Sequence, residues 1–242
     1  MAATSEATDG YRAFHAPRFR YLAHLTASHL PRGGRRVLDI GLSPFTEILR
    51  GRVNAEVDTL GLEADGPGRR GHYSFDLNAL AEASVQTPLL PQYDLIVFAE
   101  VLEHLHVAPE LVLAFLWNHL VPGGILLVQT PNAASLGKRV KLALGRNPYE
   151  MIRSDRKNPG HFREYTRGEL QKLAFATGFA VVAVDRRYYF DARFAHHQES
   201  GAAGTLHPVV GVIKNVVYSS LPGFLREGLT LVLRKESPKE PA

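Results

Sequence analysis

Short apolar segments alternate with helical patterns through the first half of the chain, and this alternation restricts the fold more than any other feature of the sequence. The segment Tyr93–Phe98 is almost continuously apolar, as expected of a strand in a parallel sheet that is covered on both faces. The predicted strands of this region are Arg36–Gly41, Val57–Leu62, His72–Phe75, Tyr93–Phe98 and Ile125–Gln129. Helices or helical turns are predicted between them. This order predicts an α/β protein with a doubly wound, mostly parallel sheet and helices on both faces.

The last third of the chain adds elements that complete the sheet. Thr166–Thr177 is predicted as a helix, because it opens with the spacing of a capping box and ends before Gly178. Two further strands, Phe179–Asp185 and Gly228–Leu233, flank a helix near Val209–Ser220. The sheet is therefore expected to have seven strands.

Length and apolar content favour a single domain. A chain of 242 residues with 45% apolar residues is long enough to bury a stable core without disulfide bonds. It is also too apolar to be disordered. A leading helix is predicted over Tyr11–Leu30, where apolar residues recur at helical spacing. We expect a flexible tail over residues 1–10, the domain over 11–235 with lid or insert segments at about 133–165 and 190–222, and a second tail over 236–242.

Composition excludes several classes of protein. The chain has no cysteine, which rules out disulfides, thiolate metal sites, iron–sulfur clusters and a cysteine nucleophile. Its longest apolar runs, Leu95–Leu102 and Ile125–Val128, are too short to cross a bilayer. The first residues are small, polar and acidic rather than basic and then apolar, as a leader would be. A cytoplasmic protein is expected.

The positive charge of the chain is localised. The formal net charge is +4, but residues 138–172 alone hold ten Lys or Arg against four Asp or Glu. This basic lid suits an anionic acceptor or a peripheral contact with a membrane, and a solvated helix face accounts for it equally well. Nucleic acid is not favoured as a partner, because RNA-binding modules interleave aromatic and basic residues on a sheet surface, and that pattern is missing from the sequence.

Polar and small residues stand where the predicted strands end. Ligands of open α/β sheets bind beyond the carboxyl ends of the strands. Gly41 ends the first strand and allows a ligand to approach the backbone. Glu63 follows 22 residues after Gly41, the spacing of a carboxylate that hydrogen-bonds ribose hydroxyls. Asp76 ends the third strand and is placed to accept a hydrogen bond from an adenine amino group.

Six motifs together resemble the class I S-adenosylmethionine-dependent methyltransferases, which have a Rossmann-like fold. They are Val37–Gly41, Gly61–Glu63, Phe75–Asn78, Tyr93–His104, Leu120–Gly124 and His161–Thr166. The resemblance implies an enzyme of the small-molecule or glycan subgroup that uses S-adenosyl-L-methionine, with O-methylation of a small-molecule, sugar or glycan-like acceptor. The cofactor-binding residues that it implies are Asp39, Gly41, Ser43, Glu63, Asp76, Leu77 and Glu100.

The glycine-rich loop departs from the family pattern. Where the family usually has G-x-G-x-G, this chain reads G-L-S-P-F from Gly41. Ser43 and Phe45 would crowd the methionine end of the cofactor unless the loop takes another path, which Pro44 would help to set. A non-catalytic relative that binds the cofactor or a partner protein is therefore an alternative. A nicotinamide dehydrogenase is disfavoured, because its fingerprint needs glycines where Ser43 and Thr46 stand.

Two histidines are the candidate catalytic residues. A hydroxyl acceptor needs a general base or a metal to remove its proton. Glu100, Glu103 and His104 would share one face of a helical turn. The later loop would bring His161 to the same opening of the site. The set is similar to the two glutamates and two histidines that bind a divalent metal in small-RNA 2′-O-methyltransferases. A metal-dependent RNA 2′-O-methyltransferase is thus the alternative, although the E-x-x-E-H pattern also occurs without metal, and no metal ligand is assigned.

Overall fold

The computed structural model describes residues 2–62, 71–155, 159–194 and 208–236 of the chain. The helices in these ranges are α1 (Ala2–His29), α2 (Pro44–Arg52), α3 (Pro109–Asn118), α4 (Leu136–Ala143), α5 (Arg167–Ala176) and α6 (Pro208–Ser220). The strands are β1 (Arg36–Ile40), β2 (Glu56–Gly61), β3 (His72–Ser74), β4 (Tyr93–Ala99), β5 (Leu120–Pro131), β6 (Phe179–Arg187) and β7 (Gly228–Lys235). Within the described ranges, no helix combines the length and apolarity that spanning a bilayer requires.

The strands form one seven-stranded sheet in the order β3-β2-β1-β4-β5-β7-β6. The first five strands of this order are parallel, and β7 runs antiparallel to both β5 and β6. The strand order reverses between β1 and β4, so their carboxyl ends border a crevice at which α/β proteins bind ligands. The predicted doubly wound, mostly parallel sheet is confirmed.

Alternate residues of the central strands pack on opposite faces of the sheet. Leu95 and Val97 of β4 face the cluster that contains α1 and α2. Ile96 and Phe98 face the cluster that contains α3 and α5. All four residues are completely buried, which explains why the sequence of β4 is apolar without alternation. Helices therefore cover both faces, as predicted.

The amino-terminal helix is longer than the sequence predicted. It begins at Ala2 rather than Tyr11, so residues 2–10 are helical where we expected a flexible tail. Alanines at positions 2, 3 and 7 favour helix, and one glycine at position 10 costs a helix only about 1 kcal/mol. At the other end, β7 extends to Lys235, and residues 237–242 of the predicted second tail lie outside the described ranges.

The fifth strand also begins earlier than predicted. It starts at Leu120 and includes Gly123 and Gly124, which the sequence placed in a turn before the strand. The register between β4 and β5 shifts between Tyr93 and Leu95, and Gly123 has a φ of 77°. The two glycines therefore lie in an irregularity at the start of the strand, and regular pairing with β4 begins at Ile125.

Candidate active site

A cavity of about 780 Å³ opens at the carboxyl ends of β1, β2 and β4. Its size lies within the range of small-molecule and cofactor sites. Seven residues that the sequence assigned to the site line it: Asp39, Gly41, Ser43, Asp76, Leu77, Glu100 and His104. Glu63 lies outside the described residues. His161 is not among the residues that line the cavity, and its ring contacts the ring of His104, which does line it.

Asp39 and Gly41 end β1 at the floor of the cavity. The Asp39 carboxylate is buried and accepts a hydrogen bond from Thr46 Oγ1 at 2.7 Å. Burial raises the pKa of Asp39 to about 7, although the Thr46 hydrogen bond and two arginines oppose this shift. Gly41 has a φ of 95°, and a Cβ built on Gly61 of β2 would lie 3.5 Å from the Cα of Gly41. The backbone at Gly41 therefore needs glycine for its conformation and lies close to the neighbouring strand.

The altered glycine loop ends in the first turn of α2. Ser43 is the N-cap, and its side chain accepts a hydrogen bond from the Phe45 amide at 3.2 Å. Pro44 occupies the first helical position, where its missing N–H group costs no hydrogen bond. The Phe45 ring is buried, with its centroid 5.9 Å from that of Phe19 in α1. Both side chains that replace loop glycines thus have partners within the protein.

The turn after β3 forms a second wall of the cavity. The Asp76 side chain accepts a hydrogen bond from the Asn78 amide at 2.9 Å, while Leu77 is buried beside it. The Asn78 side chain accepts hydrogen bonds from the amides of His106 and Val107, at 2.8 Å and 3.3 Å. Asn78 therefore ties this wall to the segment that follows β4, so that both sides of the cavity are held together.

Glu100 and Arg18 face each other at the cavity. Glu100 adopts a φ of 56°, rare for a residue other than glycine, and its amide donates to the Gln129 carbonyl at 2.8 Å. Its carboxylate lies 3.7 Å from Arg18 Nη1. Burial raises the pKa of Glu100, and Arg18 opposes that shift. Arg18 itself is 5% exposed, and its Nε has no hydrogen-bond partner among the described residues.

The sequence interpretation missed Arg18. A signal for it exists, because Arg18 stands four residues from both Phe14 and Leu22, on a helix face that is largely apolar. A charged residue in such a stripe is seldom buried unless something pairs with it. The structure accounts for this position by placing the guanidinium group at the cavity.

Glu103 anchors the segment that carries His161. Glu103 is completely buried, and its Oε2 accepts a hydrogen bond from Thr130 Oγ1 at 3.0 Å. Its Oε1 has no partner among the described residues. The backbone carbonyl of Glu103 accepts from the Phe162 amide at 2.8 Å. Burial, and next the charge of Glu100, raise the pKa of Glu103 well above its usual range.

The two candidate catalytic histidines contact each other. Their ring centroids lie 4.7 Å apart, with the planes at 77°. His104 Nδ1 is 2.9 Å from the Gly160 carbonyl, which can only accept, so Nδ1 is the donor and the neutral tautomer that fits this contact has its lone pair on Nε2. His161 Nδ1 lies 3.1 Å from Glu164. Burial lowers the pKa of His161 to about 4, so the ring is neutral at pH 7.

Three of the four residues in the predicted metal set converge. Potential ligand atoms of Glu103, His104 and His161 all lie within 4.8 Å of one another. Glu100 is not part of this group and faces Arg18 instead. A carboxylate that orients a metal-binding histidine is a common feature of metal sites, and Glu164 holds that position toward His161. The group has the donor types for a divalent cation.

Comparisons with known proteins agree with this architecture. A family described as "Methyltransferase domain" matches residues 14–184. No curated protein sequence matches the chain. A SAM-dependent methyltransferase from Archaeoglobus fulgidus is 17% identical, with 90% of this chain and 94% of that chain covered and a TM-score of 0.53. The 1,6-didemethyltoxoflavin-N1-methyltransferase of Burkholderia thailandensis is also 17% identical, with 98% and 89% covered and a TM-score of 0.53.

A third similar structure performs a different reaction. The [4+2]-cyclase SpnF is 20% identical, with 90% of this chain and 82% of that chain covered and a TM-score of 0.56. Likeness at this level shows the fold alone, because one fold carries many activities. The chain belongs to the methyltransferase-domain family and has the fold of class I S-adenosylmethionine-dependent methyltransferases. The predicted enzyme class, a methyltransferase, is thereby confirmed.

Proposed function

We propose that the cavity holds S-adenosylmethionine and that the enzyme methylates a hydroxyl group of a small-molecule, sugar or glycan-like acceptor beside His104. The observation that carries the proposal is one continuous cavity that joins Asp39, Gly41 and Asp76 at the sheet to His104 at the other side. Small-molecule sites combine such a shape with a few convergent polar groups. When bound, the cofactor supplies an electrophilic methyl group on a sulfonium.

The chain offers chemically matched partners for each part of the cofactor. Gly41 presents backbone without a Cβ at the floor, and Asp39 supplies a buried carboxylate there. Asp76 and Leu77 offer an acceptor and an apolar contact suited to an adenine ring. The cation of Arg18 suits the carboxylate of the cofactor's methionine moiety. Glu63 stays the predicted ribose partner.

His104 is the candidate general base. The Gly160 carbonyl fixes the proton on Nδ1, so Nε2 is free to accept the proton of an acceptor hydroxyl. His161 does not line the cavity, and we propose that it positions His104 through their ring contact rather than touching the acceptor. Phe162 and Ile152 also belong to the cavity lining and add apolar surface to it.

Positive charge near the cavity supports an anionic acceptor. Arg153 belongs to the lining, and it lies in the segment 138–172 whose formal charge is positive. The lining also contains Asp39, Asp76, Glu100 and Asp155, so the attraction of an anionic acceptor would come from the basic segment beside the cavity rather than from the lining itself. We expect acceptors with a phosphate or carboxylate to outcompete their neutral analogues in a competition assay.

Transfer of tritium from S-[methyl-³H]adenosylmethionine tests this function. A metabolite extract and a panel of phenols, sugars and RNA serve as acceptors. We expect label in a small molecule, loss of transfer by at least a hundredfold in His104→Asn, and weakened binding of S-adenosylhomocysteine in Glu63→Ala. Cofactor binding without transfer to any acceptor would contradict the proposal and favour the non-catalytic relative.

A metal-dependent RNA 2′-O-methyltransferase is the second candidate. The convergence of Glu103, His104 and His161 favours it, together with the buried Glu103 Oε1, which has no hydrogen-bond partner in the described ranges. A cation at this group would activate a ribose hydroxyl beside His104. Stimulation by Mg²⁺ or Mn²⁺, inhibition by EDTA and label in RNA would support it. Activity that is unchanged by EDTA and by both cations would exclude it.

A further inference from the structure

Helix α6 packs with its apolar side away from the protein. Its inward side is small and polar: a Cβ added to Gly211 would lie 2.7 Å from Arg193 Cα, so the two backbones touch. Asn215 donates to Asp191 Oδ1 at 2.9 Å and accepts from the Ala192 amide at 2.8 Å. Its outward residues are 47–61% exposed, and they are Val209, Val210, Val212, Ile213, Val216 and Val217. The orientation is opposite to that of an ordinary surface helix.

A second exposed apolar group adjoins this face. Val140, Leu142 and Leu144, in α4 and directly after it, are 48–67% exposed. A Cβ on Gly137 of α4 would lie 3.8 Å from the hydroxyl of Tyr218 in α6, so the two helices are neighbours. The exposed apolar residues of α4 and α6, with those that follow α4, are called the α4–α6 surface below.

The turn after α6 extends the same surface. Phe224 is 53% exposed, and its ring centroid lies 6.0 Å from the guanidinium carbon of Arg139 in α4. Monomeric soluble proteins seldom expose large apolar patches unless they bind something, and α6 alone exposes six apolar side chains on one side.

Positive charge surrounds the α4–α6 surface. Residues 136–146 and 208–220 contain five Lys or Arg and no Asp or Glu. Lys138 pairs with Glu164. In the described part of the chain, the other four form no ion pair, and they are Arg139, Lys141, Arg146 and Lys214. An apolar centre with a cationic surround matches a bilayer that carries anionic headgroups.

We propose that the α4–α6 surface docks on an anionic lipid bilayer. The exposed valines and leucines would enter the boundary between headgroups and acyl chains, while Lys141, Arg146 and Lys214 contact lipid phosphates. A second copy of the chain is a poorer occupant, because a two-fold contact would set one cationic surround against another. None of these residues lines the cavity, so docking is separable from cofactor binding.

Co-sedimentation with sucrose-loaded vesicles tests the proposal. The full chain is mixed with vesicles of phosphatidylcholine alone, or of phosphatidylcholine with phosphatidylglycerol. We expect binding to the anionic vesicles, much weaker binding to the neutral ones, and a decline as salt rises. Each cation at the surface strengthens binding by about 1 kcal/mol, or about fivefold.

Two variants separate the cationic and apolar contributions. Lys141→Gln with Arg146→Gln should lower the partition coefficient about 25-fold, at about fivefold per charge. Ile213→Ser with Val216→Ser should lower it about tenfold or more, because both side chains are more than half exposed and would be buried in the bilayer. Binding of S-adenosylhomocysteine and the melting temperature should not change in either variant, which shows that each is folded.

Matched controls lie on α5, which packs against α3 and β6 rather than beside α6. Arg167→Gln with Lys172→Gln removes two exposed cations there, and Phe175→Ser removes an exposed apolar side chain. Neither control should change vesicle binding. Equal losses in control and test variants, or no binding to anionic vesicles, would overturn the proposal. A dimer in sedimentation velocity that Ile213→Ser with Val216→Ser abolishes, without vesicle binding, would overturn it in favour of a second copy.

Discussion

Replacing Asp39 by asparagine should change how the stability of the enzyme depends on pH. Burial raises the pKa of this carboxyl group from 3.8 to about 7, so the folded state binds its proton more tightly than the unfolded state does. Stability is therefore lost as pH rises from about 4 to about 7, and little further change follows above the folded pKa. The side-chain amide of the Asp39→Asn variant would keep an acceptor for the Thr46 hydroxyl and carry no charge.

The size of the effect follows from linkage. One pKa unit corresponds to about 1.4 kcal/mol, and the part of the shift that is titrated between pH 5 and pH 8 corresponds to about 2–3 kcal/mol. Between pH 5 and pH 8, the free energy of unfolding should therefore fall by about 2–3 kcal/mol more in the wild type than in Asp39→Asn. Urea unfolding at both pH values, followed by the fluorescence of the single tryptophan, measures the difference.

A neighbouring substitution provides the control for this prediction. Thr46→Val removes the hydrogen bond that favours the ionised form of Asp39, so the pH dependence should become steeper than in the wild type. Identical pH dependence in the wild type and Asp39→Asn would refute the reasoning, and so would an Asp39→Asn variant that is the less stable protein at pH 8.

Three further predictions concern the cavity and its supporting helices. Arg18→Met should weaken binding of S-adenosylhomocysteine at least tenfold by calorimetry and leave the buried Glu100 without its cation, whereas Arg18→Lys should recover part of the loss. Gly41→Ala should cost about 1–2 kcal/mol in urea unfolding, because alanine is strained at a φ of 95°; an unchanged midpoint would contradict this. Thr166→Ala should cost about 1 kcal/mol by removing one half of the capping box with Glu169, and equal stability of the two proteins would count against that role.

Local sequence signals account for much of the fold. The apolar run of β4 and the capping box at Thr166 each depend on neighbouring residues, and the structure has both. The ends of strands were harder to place. Leu120 joins β5 because it pairs with Tyr93 across a register shift, and pairing between distant segments leaves no local pattern.

Seven residues that line the cavity were singled out from the sequence, whereas Arg18 was not. Asp39, Gly41 and Asp76 could be found because each lies at or just after the carboxyl end of a strand, and strand ends meet at one edge of a parallel sheet. Arg18 lies in a helix that reaches the cavity from the amino terminus, and only tertiary packing places it beside Glu100.

The side of α6 that faces solvent likewise could not be read from helical spacing. Periodicity identifies an apolar face without saying what covers it. The backbone contact of Gly211 with Arg193 decides which side of the helix turns inward.

We propose that the cavity at the ends of β1 and β4 holds the methyl donor. Calorimetric titration with S-adenosylhomocysteine tests it most directly, with the wild type and Asp39→Asn compared at pH 8. We predict saturable binding at one site per chain in the wild type, and binding at least tenfold weaker in Asp39→Asn although that variant is the more stable protein. No saturable binding by the wild type, or equal affinity of the two proteins, would contradict this assignment of the cavity.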